Sequence, residues 1–310
     1  MGELNSWLLK ETKGVKILDK CVLYSLKVIY LGLRILLRIA LGKKRRDRIF
    51  IEQGFDFNTF LYKVFKILRI GNSMLLKISV PKYDYKFYCR INREDLVFMT
   101  NHEDDIIEHF TPKQGDIVVD IGAHMGRYTI ISSKRVGTNG KVVAIEAHPG
   151  NFEMLNRNIK LNQLTNVIPL NYAVYSKETK IKLYLPEEDS GYTIYNTIMS
   201  NRAGTEDKFV EVNANTLDCL LQLDQIREEE VNWVKIDVEG AEFEVLKGAT
   251  NVLSKSKDIA LLIEVHGSDN YKPILNFLNL YNFKIEFEKN HESGDKHIIL
   301  RKDGFKNRII

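Results

Sequence analysis

Short apolar runs alternate with longer amphipathic segments from Gly115 onwards. This alternation is typical of strands and helices that follow one another, and it predicts an α/β fold with a mostly parallel sheet and right-handed crossovers. Seven strands are predicted: Ile117–Ile121, Lys141–Glu146, Val167–Asn171, Trp233–Asp237, Ile259–Val265, Phe283–Phe287 and His297–Arg301. The last two leave no room for a helix between them, so we expect them to form an antiparallel pair.

The amphipathic segments predict the helices of this fold. They are Gly126–Val136, Pro149–Asn162, Thr216–Leu223, Ala241–Asn251 and Tyr271–Tyr281. Residues 176–215 are too many for a simple crossover. Two segments with β-forming residues, Lys180–Leu185 and Phe209–Val212, predict an inserted hairpin there, with residues 187–205 as a loop or lid.

The chain before the sheet has a different pattern. Leu75–Val80, Lys86–Ile91 and Leu96–Thr100 predict a small antiparallel hairpin or meander, and Glu103–Phe110 predicts a short helix. Residues 49–75 are expected to form a helical linker. The predicted organisation is a basic amphipathic helical segment at 1–48, a helix and β-hairpin lead-in at 49–110, a main domain at 111–302 with an insertion at 176–215, and a tail at 303–310.

The N-terminal segment combines apolar length with positive charge. The chain from Val15 to Leu41 is mostly apolar and has no proline. If it is helical, its Lys and Arg residues fall within roughly 40° of one line beside a wide apolar face. This pattern favours a helix that lies in a membrane interface, with peripheral membrane contact through residues 13–46. Packing on protein and a bilayer span are the alternatives, and a span is disfavoured by its charges.

Charge and cysteine content restrict the class of protein. Residues 1–48 carry twelve Lys and Arg against four Asp and Glu, whereas the rest of the chain is net acidic. A net acidic main domain argues against nucleic acid as a partner. Three cysteines without metal-ligand spacing indicate a reducing compartment. We therefore expect a cytoplasmic protein, located at the cytoplasmic face of the membrane if the N-terminal segment binds there.

A glycine-bearing turn follows the first predicted strand of the sheet. Asp120, Gly122 and Gly126 form the pattern Asp-x-Gly-x-x-x-Gly, in which glycines allow backbone to approach a ligand closely. An acid at the end of the next strand, Glu146, can accept hydrogen bonds from both hydroxyls of a ribose. The pair indicates a cofactor that contains a nucleoside, although an ordinary strand–helix turn remains the alternative.

The choice of cofactor depends on the spacing of the glycines. A dinucleotide fingerprint needs glycine where this chain has His124 and Arg127. An anionic Asp120 would also oppose a pyrophosphate, whereas S-adenosylmethionine offers a ribose, an ammonium group and a sulfonium. The turn and Glu146 therefore favour S-adenosylmethionine.

Several sequence pieces together resemble a known family. They are Asp120-Ile-Gly-Ala-His-Met-Gly126, Ile145-Glu-Ala-His-Pro149, Asn171-Tyr-Ala-Val174, Thr216-Leu-Asp218, Trp233-Val-Lys-Ile-Asp-Val-Glu-Gly-Ala-Glu242, Val245-Leu-Lys-Gly-Ala249 and Ile263-Glu-Val-His266. In this order and spacing they resemble FkbM-type S-adenosylmethionine-dependent methyltransferases over residues 96–300. The resemblance implies a Rossmann-like seven-stranded sheet with an antiparallel last strand. It also implies methyl transfer, usually to a hydroxyl oxygen of a sugar or secondary metabolite.

The resemblance also implies roles for individual residues on the donor side. Gly122, His124 and Gly126 should shape the pocket for the methionine part, with Asp120 beneath them. Glu146 should hold the ribose. Two further candidates are Ala173, beside the adenine, and Tyr128, which either lines the methionine end or packs on the first helix.

The acceptor side is expected where further acids follow the strands, because ligands of parallel sheets bind at the carboxyl ends of the strands. Asp237, Glu239, Glu264 and His266 are the candidates for catalysis, with His266 either a general base or a loop-capping residue. The same four residues are an alternative site for Mg²⁺. His291 and His297 are interpreted as surface or strand positions. A methyltransferase-like binding or scaffold protein without activity, associated with glycan assembly at a membrane, is the alternative function.

Overall fold

A computed structural model describes residues 9–12, 15–18, 28–31, 74–90, 95, 103–185, 208–291 and 293–302. The chain forms two compact units, Met1–His102 and Glu103–Ile310. The first unit contains a four-stranded sheet in the order β1-β2-β3-β4. Its strands are β1 (Leu9–Thr12), β2 (Val15–Leu18), β3 (Met74–Val80) and β4 (Tyr85–Arg90).

Strands β3 and β4 confirm the predicted antiparallel hairpin. Tyr85, Phe87 and Cys89 are buried in β4, and the residues between them are more exposed, as the period of two in a strand requires. A 3-10 turn at Pro81–Tyr83 joins the two strands, and Asp84 completes it with a positive φ of 49°. The predicted strand at Leu96–Thr100 and most of the predicted linker at 49–75 lie outside the described residues.

The helix predicted from Val15 is wrong at its beginning. Val15–Leu18 is a strand that pairs antiparallel with β1 and parallel with β3, so its backbone hydrogen bonds go to neighbouring strands. Residues 28–31 are helical. The rest of the segment predicted to contact a membrane lies outside the described residues. In the part of the chain that is described, no helix is long and apolar enough to cross a bilayer.

The second unit is built on a seven-stranded sheet in the order β13-β14-β12-β11-β5-β6-β7. The strands are β5 (Ile117–Ile121), β6 (Lys141–Ile145), β7 (Val167–Leu170), β11 (Val231–Ile236), β12 (Ala260–Val265), β13 (Phe283–Asn290) and β14 (Lys296–Lys302). Neighbouring strands from β12 to β7 are parallel, and β14 runs antiparallel to β12 and β13. The predicted α/β fold is confirmed, and each predicted strand ends within three residues of the observed one.

Among its described residues, this unit has the helices α1 (Asp104–His109), α2 (Arg127–Val136), α3 (Pro149–Leu161), α4 (Leu217–Leu223), α5 (Glu242–Lys247), α6 (Thr250–Lys255) and α7 (Ser268–Asn279). Local chemistry explains where two of them begin. His148 accepts a hydrogen bond from the backbone of Asn151, and Pro149 occupies the first helical position of α3. Thr216 accepts from the backbone of Cys219 and caps α4. Both helices therefore begin where their sequences predict.

The single helix predicted at Ala241–Asn251 is in fact two. Gly248 separates them, and a Cβ there would overlap with the backbone of Tyr175. Asp218 then accepts hydrogen bonds from the backbone of Asn251 and Val252 at 2.9 and 3.1 Å, which starts α6 from a distant part of the chain. Because this cap comes from a distant part of the chain, the sequence around α5 and α6 predicts one continuous helix.

The inserted hairpin is present as predicted. Strands β9 (Thr179–Tyr184) and β10 (Phe209–Asn215) pair antiparallel, and a two-residue strand β8 (Ala173–Val174) pairs with β10 in a separate three-stranded sheet. The predicted lid at 187–205 lies outside the described residues.

The strands in the middle of the central sheet are mostly apolar because helices cover them. Val118 and Val119 in β5 and Val142 and Val143 in β6 are all fully buried, although successive side chains point to opposite faces. Such continuous apolar strands are typical of parallel sheets. Their carboxyl ends therefore meet at one well-ordered edge.

Candidate active site

Four acids meet at the carboxyl edge of the central sheet. Asp120 lies in β5, Glu146 follows β6, Asp237 follows β11, and Glu264 is the penultimate residue of β12. The parallel register of these strands brings their ends together, as the sequence predicts. The edge divides into two parts, a glycine turn and a cluster of acids and histidines.

The glycine turn, residues 122–126, connects β5 to α2. Gly122 and Gly126 have φ of 73° and 95°, and His124 between them has φ of 52°. A Cβ at Gly122 would overlap with the carbonyl oxygen of Asp237. The backbone of Gly122 and Ala123 donates to the carbonyl of Ile145 at 3.0 Å each. The turn is therefore fixed by its backbone between two neighbouring strands, with no room for a side chain at Gly122.

Glu146 is held by backbone donors. The backbone N–H of His124 donates to its Oε2 at 2.7 Å, and that of His148 donates to its Oε1 at 2.9 Å. Asn171 donates to the backbone carbonyl of Glu146 at 2.8 Å. Burial raises the pKa of the Glu146 carboxyl to about 7, although the two backbone donors act in the opposite direction. The carboxyl is thus fixed in direction beside the glycine turn.

Asp120 lies beneath the turn and has no exposed surface. Thr129 donates to its Oδ2 at 2.6 Å, and the Nζ of Lys235 lies 3.7 Å from its Oδ1. Burial raises its pKa, and Lys235 opposes that shift. The buried Asp120 supports the glycine turn from beneath.

Lys235 was not singled out by sequence, yet it joins the two parts of the edge. Its buried ammonium group donates to the carbonyl of Gly122 at 3.0 Å and contacts Asp237 at 3.1 Å. Burial by itself would lower its pKa, but Asp237 and Asp120 more than offset this, and the pKa stays above its ordinary value. The signal in the sequence was a lysine inside an apolar strand.

Two further donor-side candidates are buried as well. Tyr128 packs its ring edge-on against Phe110 and donates its hydroxyl to Glu103 at 2.9 Å. This matches the packing interpretation of Tyr128. Ala173 is 9% exposed in β8, where it belongs to a small apolar cluster with Leu183, Val212 and Ala214.

The second part of the edge is an acid–histidine cluster. Its members are Glu103, Asp237, Glu239, Glu242, Glu264, His266 and His297. Asp237, Glu239, Glu264 and His266 are the catalytic candidates from the sequence, and the fold brings these four together. Glu103, His297 and the role of Glu242 were missed.

His266 is held by carboxylates on both ring nitrogens. Its Nδ1 lies 2.8 Å from Glu242, and its Nε2 lies 3.4 Å from Glu239 and 3.7 Å from Glu264. Burial would lower its pKa, but the hydrogen bond to Glu242 and the charges of Glu239 and Glu264 raise it to about 10. His266 therefore carries a proton at neutral pH in this arrangement. Glu242 is in the first turn of α5 and holds this ring from there.

His297 behaves in the opposite way. It is in β14, as predicted, but it is buried and not on the surface. Its Nε2 lies 3.4 Å from Glu264 and 3.7 Å from Glu103, and its Nδ1 lies 2.7 Å from His291. Burial lowers the pKa of His297 to about 4, against the opposing effect of Glu103. The ring is therefore neutral at physiological pH.

The arrangement suits a cofactor that carries a nucleoside and positive charge. The fixed carboxyl of Glu146 can accept from ribose hydroxyls, and the bare backbone of the glycine turn allows close approach. The carboxylates of the edge favour a cation over a pyrophosphate. The residues present therefore fit S-adenosylmethionine.

Comparison with known proteins gives the same result. The sequence model of the methyltransferase FkbM domain matches residues 120–285. This chain belongs to the FkbM methyltransferase family. It is an S-adenosylmethionine-dependent methyltransferase.

Two curated relatives are similar over parts of the chain. The hexuronic acid methyltransferase AglP of Haloferax volcanii is 28% identical over 183 residues, which are 59% of this chain and 70% of that protein. Methyltransferase 1 of Beauveria bassiana is 26% identical over 145 residues, which are 42% of this chain and 57% of that protein.

Among solved structures, the methyltransferase FkbM of Methylobacillus flagellatus matches with 16% identity and a TM-score of 0.43, over 61% of this chain and 44% of that one. An S-adenosylmethionine-dependent methyltransferase of Aquifex aeolicus matches with 14% identity and a TM-score of 0.38, over 64% of this chain and 88% of that one.

Proposed function

We propose that this methyltransferase acts on a hydroxyl oxygen of a sugar or glycan acceptor. The name of the Haloferax volcanii relative, a hexuronic acid methyltransferase, supports this acceptor class. The acid–histidine cluster supports it too, because carboxylates are strong acceptors for the many hydroxyl donors of a sugar. A small secondary metabolite with a hydroxyl group is the other acceptor in the same class of reaction.

The observation that carries the proposal is the position of Asp237. Its backbone carbonyl packs against Gly122, and its carboxylate belongs to the acid–histidine cluster and is 15% exposed. When S-adenosylmethionine is bound, it supplies a methyl group on a positively charged sulfur. Asp237 is the member of the acid–histidine cluster whose backbone contacts the glycine turn, and we assign to it the removal of the acceptor hydroxyl proton.

The remaining residues bind and position. Glu146 holds the ribose hydroxyls, and Gly122, His124 and Gly126 shape the pocket beside it. Ala173 forms part of the wall for the adenine. Asp120 and Tyr128 support this pocket from beneath, because their side chains are buried in other contacts.

His266 is not assigned as the base. A pKa raised to about 10 by Glu242 and its neighbours leaves it protonated at neutral pH, so it has no lone pair to accept a proton. We propose that His266 holds Glu239 and Glu264 in place beside the acceptor hydroxyls, and that its positive charge offsets part of the burial that raises the pKa of Glu264. This also disfavours the Mg²⁺ site that includes His266, because a protonated imidazole does not bind a metal.

The test is methyl transfer from labelled S-adenosylmethionine to a panel of uronic acids, neutral sugars and glycans. We expect Asp237→Asn to lower kcat by about 10²–10⁴-fold, the usual contribution of a general base. Binding of S-adenosylhomocysteine should change little. The matched control is Glu229→Gln, which removes an exposed carboxylate away from the edge.

Two results would contradict the proposal. Donor binding without transfer to any acceptor would favour the inactive scaffold function. Full activity in Asp237→Asn would show that another group takes the proton.

The cellular location remains a proposal from sequence. Peripheral contact of residues 13–46 with the cytoplasmic face of a membrane would place the enzyme beside lipid-linked glycans. Fractionation of the full chain tests this, and complete recovery in the soluble fraction at low salt would contradict it.

A further inference from the structure

Three side chains from separate segments meet at one end of the acid–histidine cluster. Glu103 precedes α1, Glu264 is near the end of β12, and His297 is near the start of β14. Their nearest ligand atoms all lie within 4.8 Å of one another. Glu264 and His297 are register partners on adjacent antiparallel strands, so their side chains share one face of the sheet. The sheet itself therefore fixes this pair.

Contacts with two further side chains orient the ring of His297 and the carboxyl of Glu103. Tyr128 donates its hydroxyl to Oε2 of Glu103 at 2.9 Å, while Oε1 lies 3.7 Å from His297. His291 contacts Nδ1 of His297 at 2.7 Å, while Nε2 points towards both carboxylates. Metal-binding histidines and carboxylates typically have such outer contacts, which fix the direction of the ligand atoms.

The carboxyl groups of Glu103 and Glu264 both lie beside the His297 ring. The side chains of Glu103 and His297 are each 4% exposed. The nearest positive charges are shared with other acids: Lys235 lies 3.1 Å from Asp237, and His266 lies 2.8 Å from Glu242 and 3.7 Å from Glu264. Neighbouring carboxylates that are largely removed from water repel each other, and a divalent cation bound between them would offset that repulsion.

We propose that Glu103, Glu264 and His297 form a binding site for a divalent transition-metal cation. One imidazole nitrogen with two carboxylate groups suits Mn²⁺ or Zn²⁺ better than Mg²⁺, which prefers oxygen ligands alone. Three protein ligands leave coordination positions for outside ligands, as in catalytic metal sites. The expected occupants are oxygen atoms of the acceptor.

This role at the acceptor rests on the proposed function, since it requires an oxygen-rich substrate at the acid–histidine cluster. Binding of the cation does not require it. The two are therefore measured separately: metal binding on the protein alone, and donor binding and methyl transfer in their own assays.

The probe is Mn²⁺, chosen because thiolates compete for Zn²⁺ and Cys219 is exposed. Full-length protein is stripped with a chelator and titrated with MnCl₂, and the loss of the free-ion EPR signal gives the bound fraction. We expect one Mn²⁺ per chain, and affinity lowered more than about tenfold in Glu103→Gln, Glu264→Gln and His297→Asn. His109→Asn, which removes an exposed histidine of α1, should bind as the wild type does.

Folding is checked by circular dichroism and by retained binding of S-adenosylhomocysteine, which uses the other part of the edge. If His297→Asn does not fold, Glu103→Gln and Glu264→Gln still test the site, because glutamine has nearly the same shape as glutamate. Failure of the wild type to bind Mn²⁺ would overturn the proposal, as would unchanged affinity in all three variants. If S-adenosylhomocysteine binds and Mn²⁺ does not, this site is disproved and the proposed function stands.

Discussion

The glycine turn and the acid–histidine cluster occupy neighbouring parts of one sheet edge but are held by different forces. Backbone hydrogen bonds from Gly122 and Ala123, and the absence of a side chain at Gly122, fix the turn. The cluster is held by charged side chains such as His266 with Glu242. The glycine turn should therefore be sensitive to added side-chain volume. The acid–histidine cluster should be sensitive to the loss of a charged group and to pH. Donor binding and acceptor chemistry should therefore be separable by mutation.

The largest effect is expected at Lys235, which contacts both parts. Lys235→Met leaves Asp120 and Asp237 without their buried counter-charge. We expect it to lower the free energy of unfolding by about 3–5 kcal/mol, as measured by urea denaturation, because breaking a buried ion pair strands the partner charges. Lys257→Met, at an exposed position, is the control and should stay within about 0.5 kcal/mol. Equal stability of the two variants would mean that the two parts are not coupled through Lys235.

A smaller effect is expected when a side chain is added at the glycine turn. Gly122→Ala and Gly115→Ala both place a Cβ on a backbone with positive φ, 73° and 86°, so both have a similar conformational cost of about 1 kcal/mol. The added Cβ overlaps with the carbonyl of Asp237 in the first and has open space in the second. We expect the overlap to lower the free energy of unfolding by about 2 kcal/mol more and to abolish binding of S-adenosylhomocysteine in calorimetry. Similar behaviour of both variants would contradict the close approach.

The smallest effect concerns charge within the donor side. Burial raises the pKa of Glu146 to about 7, so its carboxylate form is lost as the pH falls from 8 to 6. If ribose hydroxyls bind the ionised carboxylate, affinity for S-adenosylhomocysteine should fall about tenfold over that range, since about one tenth remains ionised one unit below the pKa. Glu146→Gln should bind more weakly and show no such dependence. A wild-type affinity that does not change between pH 6 and 8 would argue against Glu146 as the ribose ligand.

Much of the main domain could be predicted because its elements carry local signals. The apolar runs at β5 and β6 and the proline and cap residues at the start of α3 appear directly in the sequence. Two predictions of secondary structure were wrong for the same reason. The strand at Val15–Leu18 forms through pairing with β1 and β3, and the break between α5 and α6 depends on Asp218, so neither has a local signal.

Candidate site residues divide in the same way. Glu146 and Asp237 are recognisable because they follow apolar runs that end at one sheet edge. Glu103 and His297 are not, because a helix start and an antiparallel strand bring them to that edge from distant parts of the chain. His266 was identified by position, but its protonation is set by Glu242, Glu239 and Glu264, which only the fold brings around it.

The sequence by itself determined the order of strands and helices, the glycine turn, the acid at Glu146 and the family. These depend on periodicity and spacing along the chain, which physical rules translate directly into local structure. Tertiary structure alone decided the charge state of His266 and His297, the burial of Lys235 and the meeting of Glu103, Glu264 and His297. Those properties depend on distances between segments and on the removal of water, and neither exists until the chain has folded.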